Sequence, residues 1–214
     1  SFLNPAKISV DSTNKYGYTL KDVVVVVDPG HGGSDPGSYG FIKDKIEING
    51  EKIKVYEHYL NLMLALKVKE ELESMGATVY MTRDDNNTTL TDAQRIAIAK
   101  SYNPDFIVSI HRNGSDSVEP HGFNTYNFNA FSSNAANLMY NATAKENLYP
   151  VGKWSGVKSH VFFMSRISDC PVVLTENGFM TNKQNFENMI LEDFNDKCAV
   201  ALAQGVLDYF KSIQ

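Results

Sequence analysis

The chain has 214 residues, 43% of them hydrophobic and 21% charged, with a formal net charge of -5. That length suits one domain with a sizeable core, and the balance excludes wholesale disorder, a collagen-like fibre and, with only two cysteines, a disulfide scaffold. No apolar run reaches the length of a bilayer crossing, and an acidic chain lacks the basic surface that holds nucleic acid.

Ser1 to Asp22 is polar and mixed, shows no cleavable signal peptide and reads as an N-terminal extension. The missing initiator Met marks a mature or trimmed fragment. No internal repeat and no linker rich in Pro, Gly or Ser divides residues 23–214, which read as one domain. Val23 to Asp28 opens with five consecutive valines, the pattern of a strand buried on both faces. It ends in Pro29-Gly30-His31-Gly32-Gly33, where the glycines force a turn. Lys45 to Val55 reads as a β-hairpin around Asn49-Gly50, with Ile46 facing Ile53 and Glu47 facing Lys52. A helix is predicted from Glu57 to Met75, with Leu60, Leu64, Val68 and Leu72 on one face and Gly76 as its stop.

Ala77 to Thr82 reads as a strand, and Asp92 to Ser101 as a short Ala-rich helix. Asp105 to Ile110 is another β-branched strand, running straight into His111. Gly122 to Phe128, Ser159 to Met164 and Val172 to Thr175 read as further strands, the last ending at Glu176. Helices are predicted over Ser132 to Glu146 and Asp193 to Ile213, the second with Cys198, Leu202, Val206 and Tyr209 at helical spacing.

This alternation predicts an α/β fold: a single domain with one twisted, mostly parallel sheet and helices on both faces. In such sheets functional residues gather beyond the carboxyl ends of the strands, where His31, His111 and Glu176 fall. Glu57 opens the first long helix, and a right-handed crossover brings that helix end to the same rim.

Two imidazoles and a carboxylate make a zinc set with one position left for water, and a second carboxylate serves as general base and then acid. Each residue also has a plainer reading. His31 fits a Gly-rich turn, although neither GxGxxG nor a GK[ST] ending is present to bind nucleotide. His111 fits a satisfied core histidine, and Glu57 an acidic residue favoured in a helix's first turn. Glu176, after Val172-Val173-Leu174, sits near a buried strand and needs a partner. His58, His121 and His160 read as structural or surface residues. No GxSxG element and no neighbouring Cys and His are present. Glu57 and Glu176 could instead pair as the carboxylates of a metal-independent glycosidase.

Several motifs carry a family resemblance: Val26 to Gly33 followed by Asp35-Pro36-Gly37, Glu57 followed by Leu60-Asn61-Leu62, Thr82-Arg83-Asp84 with Arg95-Ile96-Ala97, Ser109 to Asn113, and Pro171 to Glu176 followed by Gly178-Phe179 and Asn182. Over roughly Val23 to Phe210 the sequence resembles the zinc-dependent N-acetylmuramoyl-L-alanine amidases. The resemblance implies one zinc ion per chain, held by His31, Glu57 and His111, with Glu176 as the catalytic carboxylate. It implies cleavage of peptidoglycan between N-acetylmuramic acid and the L-alanine of the stem peptide. It further implies a monomer acting outside the cytoplasm, secreted or in the cell wall, or a phage endolysin acting on a host wall. A catalytically inactive wall-binding module on the same fold is the other reading.

The chain departs from the family pattern at the hairpin near 45–55, which is inserted before Glu57, and at Asn177, which replaces a Thr. Arg112 replaces a small residue and reads either as a partner for a substrate carboxylate or the tetrahedral oxyanion, or equally as a surface residue. His58 adjoins Glu57, but adjacent helical residues lie about 100° apart around the axis, so one of them faces the metal. The buried face marked by Leu60 and Leu64, together with the family pattern, selects Glu57.

Overall fold

A computed structural model describes residues 8–40, 46–48, 51–127 and 130–214. In chain order the elements are β1 (Ser9–Val10), β2 (Tyr18–Thr19), β3 (Val24–Pro29), β4 (Ile46–Ile48), β5 (Glu51–Ile53), α1 (Glu57–Ser74), β6 (Thr78–Met81) and α2 (Asp92–Ser101). They continue with β7 (Phe106–Asn113), β8 (Phe123–Asn127), α3 (Ala130–Lys145), β9 (Gly156–Ser159), a short 3-10 turn (Met164–Arg166), β10 (Val172–Phe179), α4 (Lys183–Met189) and α5 (Glu192–Ser212).

Six strands form the main sheet in the order β6-β3-β7-β10-β8-β9. The first four run parallel. β8 is antiparallel to β10, and β9 follows β8, so the sheet is mixed. Side-chain alternation explains the valine run: Val25 and Val27 enter the large core, while Val26 points to a smaller cluster on the other face. α1, α3 and α5 cover the large-core face, where Leu64, Val68, Leu72, Leu202 and Val206 are fully buried. The opposite face is covered by fewer helical residues. Among the described residues α2 packs there through Ala99, and the segment holding the 3-10 turn, with Met164, Ile167 and Cys170, covers the rest.

The strand expected over Ser159 to Met164 lies earlier, at Gly156–Ser159. β9 is an edge strand that pairs with β8 as far as Asn127 opposite Ser159. Beyond this pair the N–H of His160 still donates to the Asn127 carbonyl, and the chain then brings Met164 into the smaller cluster on the other face. β10 runs four residues past its expected end, through Glu176 to Phe179, with a register irregularity between these two and Gly178 at φ +87. A bulge of this kind re-aims side chains at a sheet rim.

α4 has too few residues for a readable period. Its N-cap is Asn182, whose side chain accepts from the Asn185 N–H, and Phe186 and Met189 pack with Leu60 and Met180. In the hairpin, Ile46 lies opposite Ile53 and Glu47 opposite Lys52, as expected, while the Asn49-Gly50 turn falls outside the described residues. β1 and β2 pair, and Ile8 and Leu20 join the large core, so residues 8–22 pack on the same core as the rest. Cys170 and Cys198 are both free and buried. No helix among the described residues is long and apolar enough to cross a membrane.

Candidate metal centre

β3 delivers Asp28 and Pro29 to the sheet rim, and the chain turns through Gly30 to His31, which sits at φ +60. A non-glycine residue in this left-handed region is strained by roughly 1–2 kcal/mol, so the turn needs outside support. Two buried arginines supply it. Arg83 donates to the carbonyls of Pro29, Gly30 and His58, and Arg95 donates to those of Pro29 and His31. Arg95 also pairs at 2.9 Å with Asp28, which accepts from Thr82 at 2.6 Å and Ser109 at 2.7 Å. Burial opposes ionisation of Asp28, but Arg95 and the two hydroxyls outweigh it and hold the carboxyl below its ordinary value.

The turn brings His31 to Glu57 at the start of α1 and to His111 near the end of β7. Glu57 Oε1 lies 3.3 Å from His31 Nε2 and 3.1 Å from His111 Nδ1. The two imidazoles meet edge to face with centroids 5.0 Å apart. The side chain of Asn61 and the N–H of Arg112 donate to Oε1, each at 3.1 Å, and the N–H of Ser38 donates to Oε2 at 2.8 Å. Glycines make room for this crowding. A Cβ on Gly30 would strike the His111 ring, and one on Gly37 would lie 2.5 Å from Glu57 Oε2.

Donor atoms of His31, Glu57 and His111 all lie within 4.8 Å of one another, a group that could hold a metal ion. Tetrahedral zinc ligands at ordinary bond lengths sit about 3.3 Å apart. The two separations at Glu57 match that spacing, and the N/O chemistry of the set suits zinc. Asp35 Oδ2 lies 2.8 Å from His31 Nδ1, which fixes the ring and leaves Nε2 facing Glu57. Burial disfavours the charged forms, yet Glu57 and Asp35 outweigh it and raise His31 to about 9. His111 is likewise raised by Glu57 against burial, and the two imidazoles hold Glu57 well below the carboxylate range. Such a carboxylate is already ionised, while the two imidazoles must give up a proton before they can ligate a cation.

Glu176 opposes His111 across the β10–β7 ladder, and both line a cleft of about 460 Å³ that also reaches His31 and Glu57. Its Oε2 is buried without a partner. Burial, with the charge of Glu57 behind it, pushes Glu176 up to about 7 against the opposing pull of His111 and His31. A carboxylate poised near neutrality beside a metal-type donor set is placed to accept and return a proton.

Arg112 does not serve as expected. Along β7, residues 106, 108 and 110 face the large core and 107 faces the other side, so the Arg112 side chain turns toward the large-core side although the residue still borders the cleft. Its guanidinium is buried and donates to the carbonyls of Asn177 and Leu60 and to Asn195 Oδ1. The group offered to substrate instead ties β7 to β10, α1 and α5. His58 is also buried, but its ring packs 4.1 Å from Tyr59, outside the three-residue donor group. His121 packs edge to face on Trp154 and His160 on Phe162, away from that group. Asp28, Thr82, Arg83, Arg95 and Ser109 form the brace behind the site. Their types and motifs are visible in sequence, but their convergence appears only in the fold.

Comparison with known proteins agrees with this geometry. The family model described as N-acetylmuramoyl-L-alanine amidase matches residues 25–208. The chain is 28% identical to the N-acetylmuramoyl-L-alanine amidase LytC of Bacillus subtilis (strain 168) over 97% of its own length and 40% of that protein's. It is 32% identical to the probable cell wall amidase LytH of Staphylococcus saprophyticus over 89% of its own length and 60% of that protein's. The chain thus spans less than two thirds of either relative. Among solved structures, the catalytic domain of CwlV, an N-acetylmuramoyl-L-alanine amidase from Bacillus (Paenibacillus) polymyxa var. colistinus, superposes with TM-score 0.77 at 30% identity, covering 90% of this chain and 99% of that one. An N-acetylmuramoyl-L-alanine amidase from Clostridium difficile 630 superposes with TM-score 0.78 at 27% identity, covering 90% and 98%. With the family model matched from the valine strand into the last helix, the chain belongs to the N-acetylmuramoyl-L-alanine amidase family.

Proposed function

We propose that the protein hydrolyses the amide between N-acetylmuramic acid and the L-alanine of the peptidoglycan stem peptide. In this reading His31, Glu57 and His111 hold one zinc ion, and Glu176 is the catalytic carboxylate. The observation that carries it is the donor group of His31, Glu57 and His111 in one cleft with Glu176, whose buried Oε2 has no partner. Zinc in such a site acidifies a bound water and polarises the scissile carbonyl.

The chain's own residues do the rest. Glu176 takes the attacking water's proton on its carboxylate and returns it to the alanine nitrogen as the C–N bond breaks. Asp35 holds the His31 ring, and the N–H groups of Ser38 and Arg112 orient Glu57, so the donors keep their positions through the reaction. The substrate places the reaction outside the cytoplasm, in the cell wall. The glycosidase reading gains nothing from the site, since Glu57 is enclosed by two imidazoles, an amide side chain and two main-chain N–H groups.

Mass spectrometry of purified peptidoglycan digested by the protein tests the reading. Intact glycan strands and free stem peptides with new N-terminal alanine are expected. Exhaustive chelation should abolish their release and zinc restore it. Cut glycan strands, or full activity with metal content near zero, would overturn the assignment.

A further inference from the structure

Three arginines line the cleft: Arg95, Arg112 and Arg166. The guanidinium groups of Arg95 and Arg112 are bonded inside the fold. Arg166 differs. It is exposed in the 3-10 turn, its guanidinium lies 4.2 Å from the centroid of the Phe163 ring, and no hydrogen bond or ion pair holds that guanidinium among the described residues. Stacking on a ring fixes the guanidinium plane while its edge N–H groups stay open, the geometry that grips a carboxylate. Phe163 and its neighbour Val161 are themselves 45% and 46% exposed at the cleft, an apolar wall beside the cation.

The substrate's chemistry fits this wall in one orientation. Glycan strands of N-acetylated sugars carry no charge, and the lactyl acid of the muramic residue is taken up in the scissile amide. The negative charge therefore sits in the peptide. Asp35 and Asp92, exposed acids at the same cleft, repel a carboxylate placed near them. Arg166 attracts it. Resting on the amidase reading above, we propose that Arg166, laid over Phe163, receives a free carboxylate of the stem peptide and gives the protein a preference for peptide whose carboxylates are not amidated.

The test uses one preparation of purified peptidoglycan before and after carbodiimide-driven amidation with ammonia. Release of N-terminal alanine is followed for the zinc-loaded wild type, Arg166→Gln, Arg166→Lys and Arg166→Glu. The wild type should favour the free-acid wall by about tenfold in kcat/KM, equivalent to about 1.4 kcal/mol. The ratio should fall to near one in Arg166→Gln, remain partial in Arg166→Lys and reverse in Arg166→Glu. Equal cleavage of both walls by the wild type, or the wild-type ratio persisting in Arg166→Gln, would overturn the proposal. No alanine release by the wild type from either wall would instead defeat the amidase reading, and this proposal with it.

Discussion

Replacing Glu176 with Gln separates what the carboxylate does for catalysis from what it costs the fold. In the metal-free protein, burial and the nearby charge of Glu57 hold Glu176 at about 7 against an ordinary 4.5. At 1.36 kcal/mol per pKa unit the ionised form is disfavoured by about 3 kcal/mol. The sign follows from the raised value: the stability is fully present below pH 4.5 and lost as pH rises through about 7. Gln cannot ionise and leaves a polar group as unpartnered as the neutral acid, so Glu176→Gln should be the more stable protein at pH 8. For a chain of this size the gain corresponds to roughly 6–12 °C in melting temperature, and it should vanish near pH 4. Bound zinc, as a nearby positive charge, favours the carboxylate and should shrink the difference. Turnover should fall by roughly a hundredfold or more while zinc is retained. Thermal melts at pH 4 and 8, with and without chelator, and zinc analysis of the purified variant read all of this. A variant that melts at or below wild type at pH 8 without metal, or one that loses zinc, would refute the reasoning.

The other variants probe how the donors are held. Glu57→Ala should weaken zinc by about a hundredfold or more and His58→Ala by less than about threefold, read by competition with a chromophoric chelator; the reverse order would move the third ligand to His58. Gly37→Ala should lower stability by at least about 1 kcal/mol and weaken zinc as well, because Gly37 sits at φ +65 and the added methyl would meet Glu57 Oε2. Asp28→Asn should cost about 3–5 kcal/mol in urea denaturation by leaving Arg95 buried without its partner. The contribution of Asp28 in the wild type should persist above pH 3.8 and disappear as pH falls through its lowered value.

The polar residues of the site were legible because each stands at a strand or helix end that the hydrophobic pattern marks. The five valines set β3, so His31 had to lie at a rim, and the helical face of Leu60, Leu64, Val68 and Leu72 set the start of α1 at Glu57. Arg112 was misread although the means to place it were present: it follows His111 on a strand, and consecutive strand residues point to opposite faces. The Ser159 to Met164 strand was misplaced for a non-local reason, since the register against β8 pairs residues 156–159 and no local pattern reports that register. The antiparallel turn of β8 was equally invisible, because side-chain alternation is the same for either direction of pairing. Burial of the Asp28 brace depends on four separate segments meeting, which no single stretch of sequence reports.

Three successive carbonyls, those of Pro29, Gly30 and His31, are held by two buried guanidinium groups that depend on neither the metal nor the substrate. Opening this turn would strand those cations in the interior, so it stays shut until the surrounding sheet itself comes apart. The turn is therefore expected to keep its shape with or without an ion at the donor group. On the zinc reading proposed above, the protein should reload the ion without refolding after it is stripped, and amide hydrogen exchange in the turn should track global unfolding even in the stripped state.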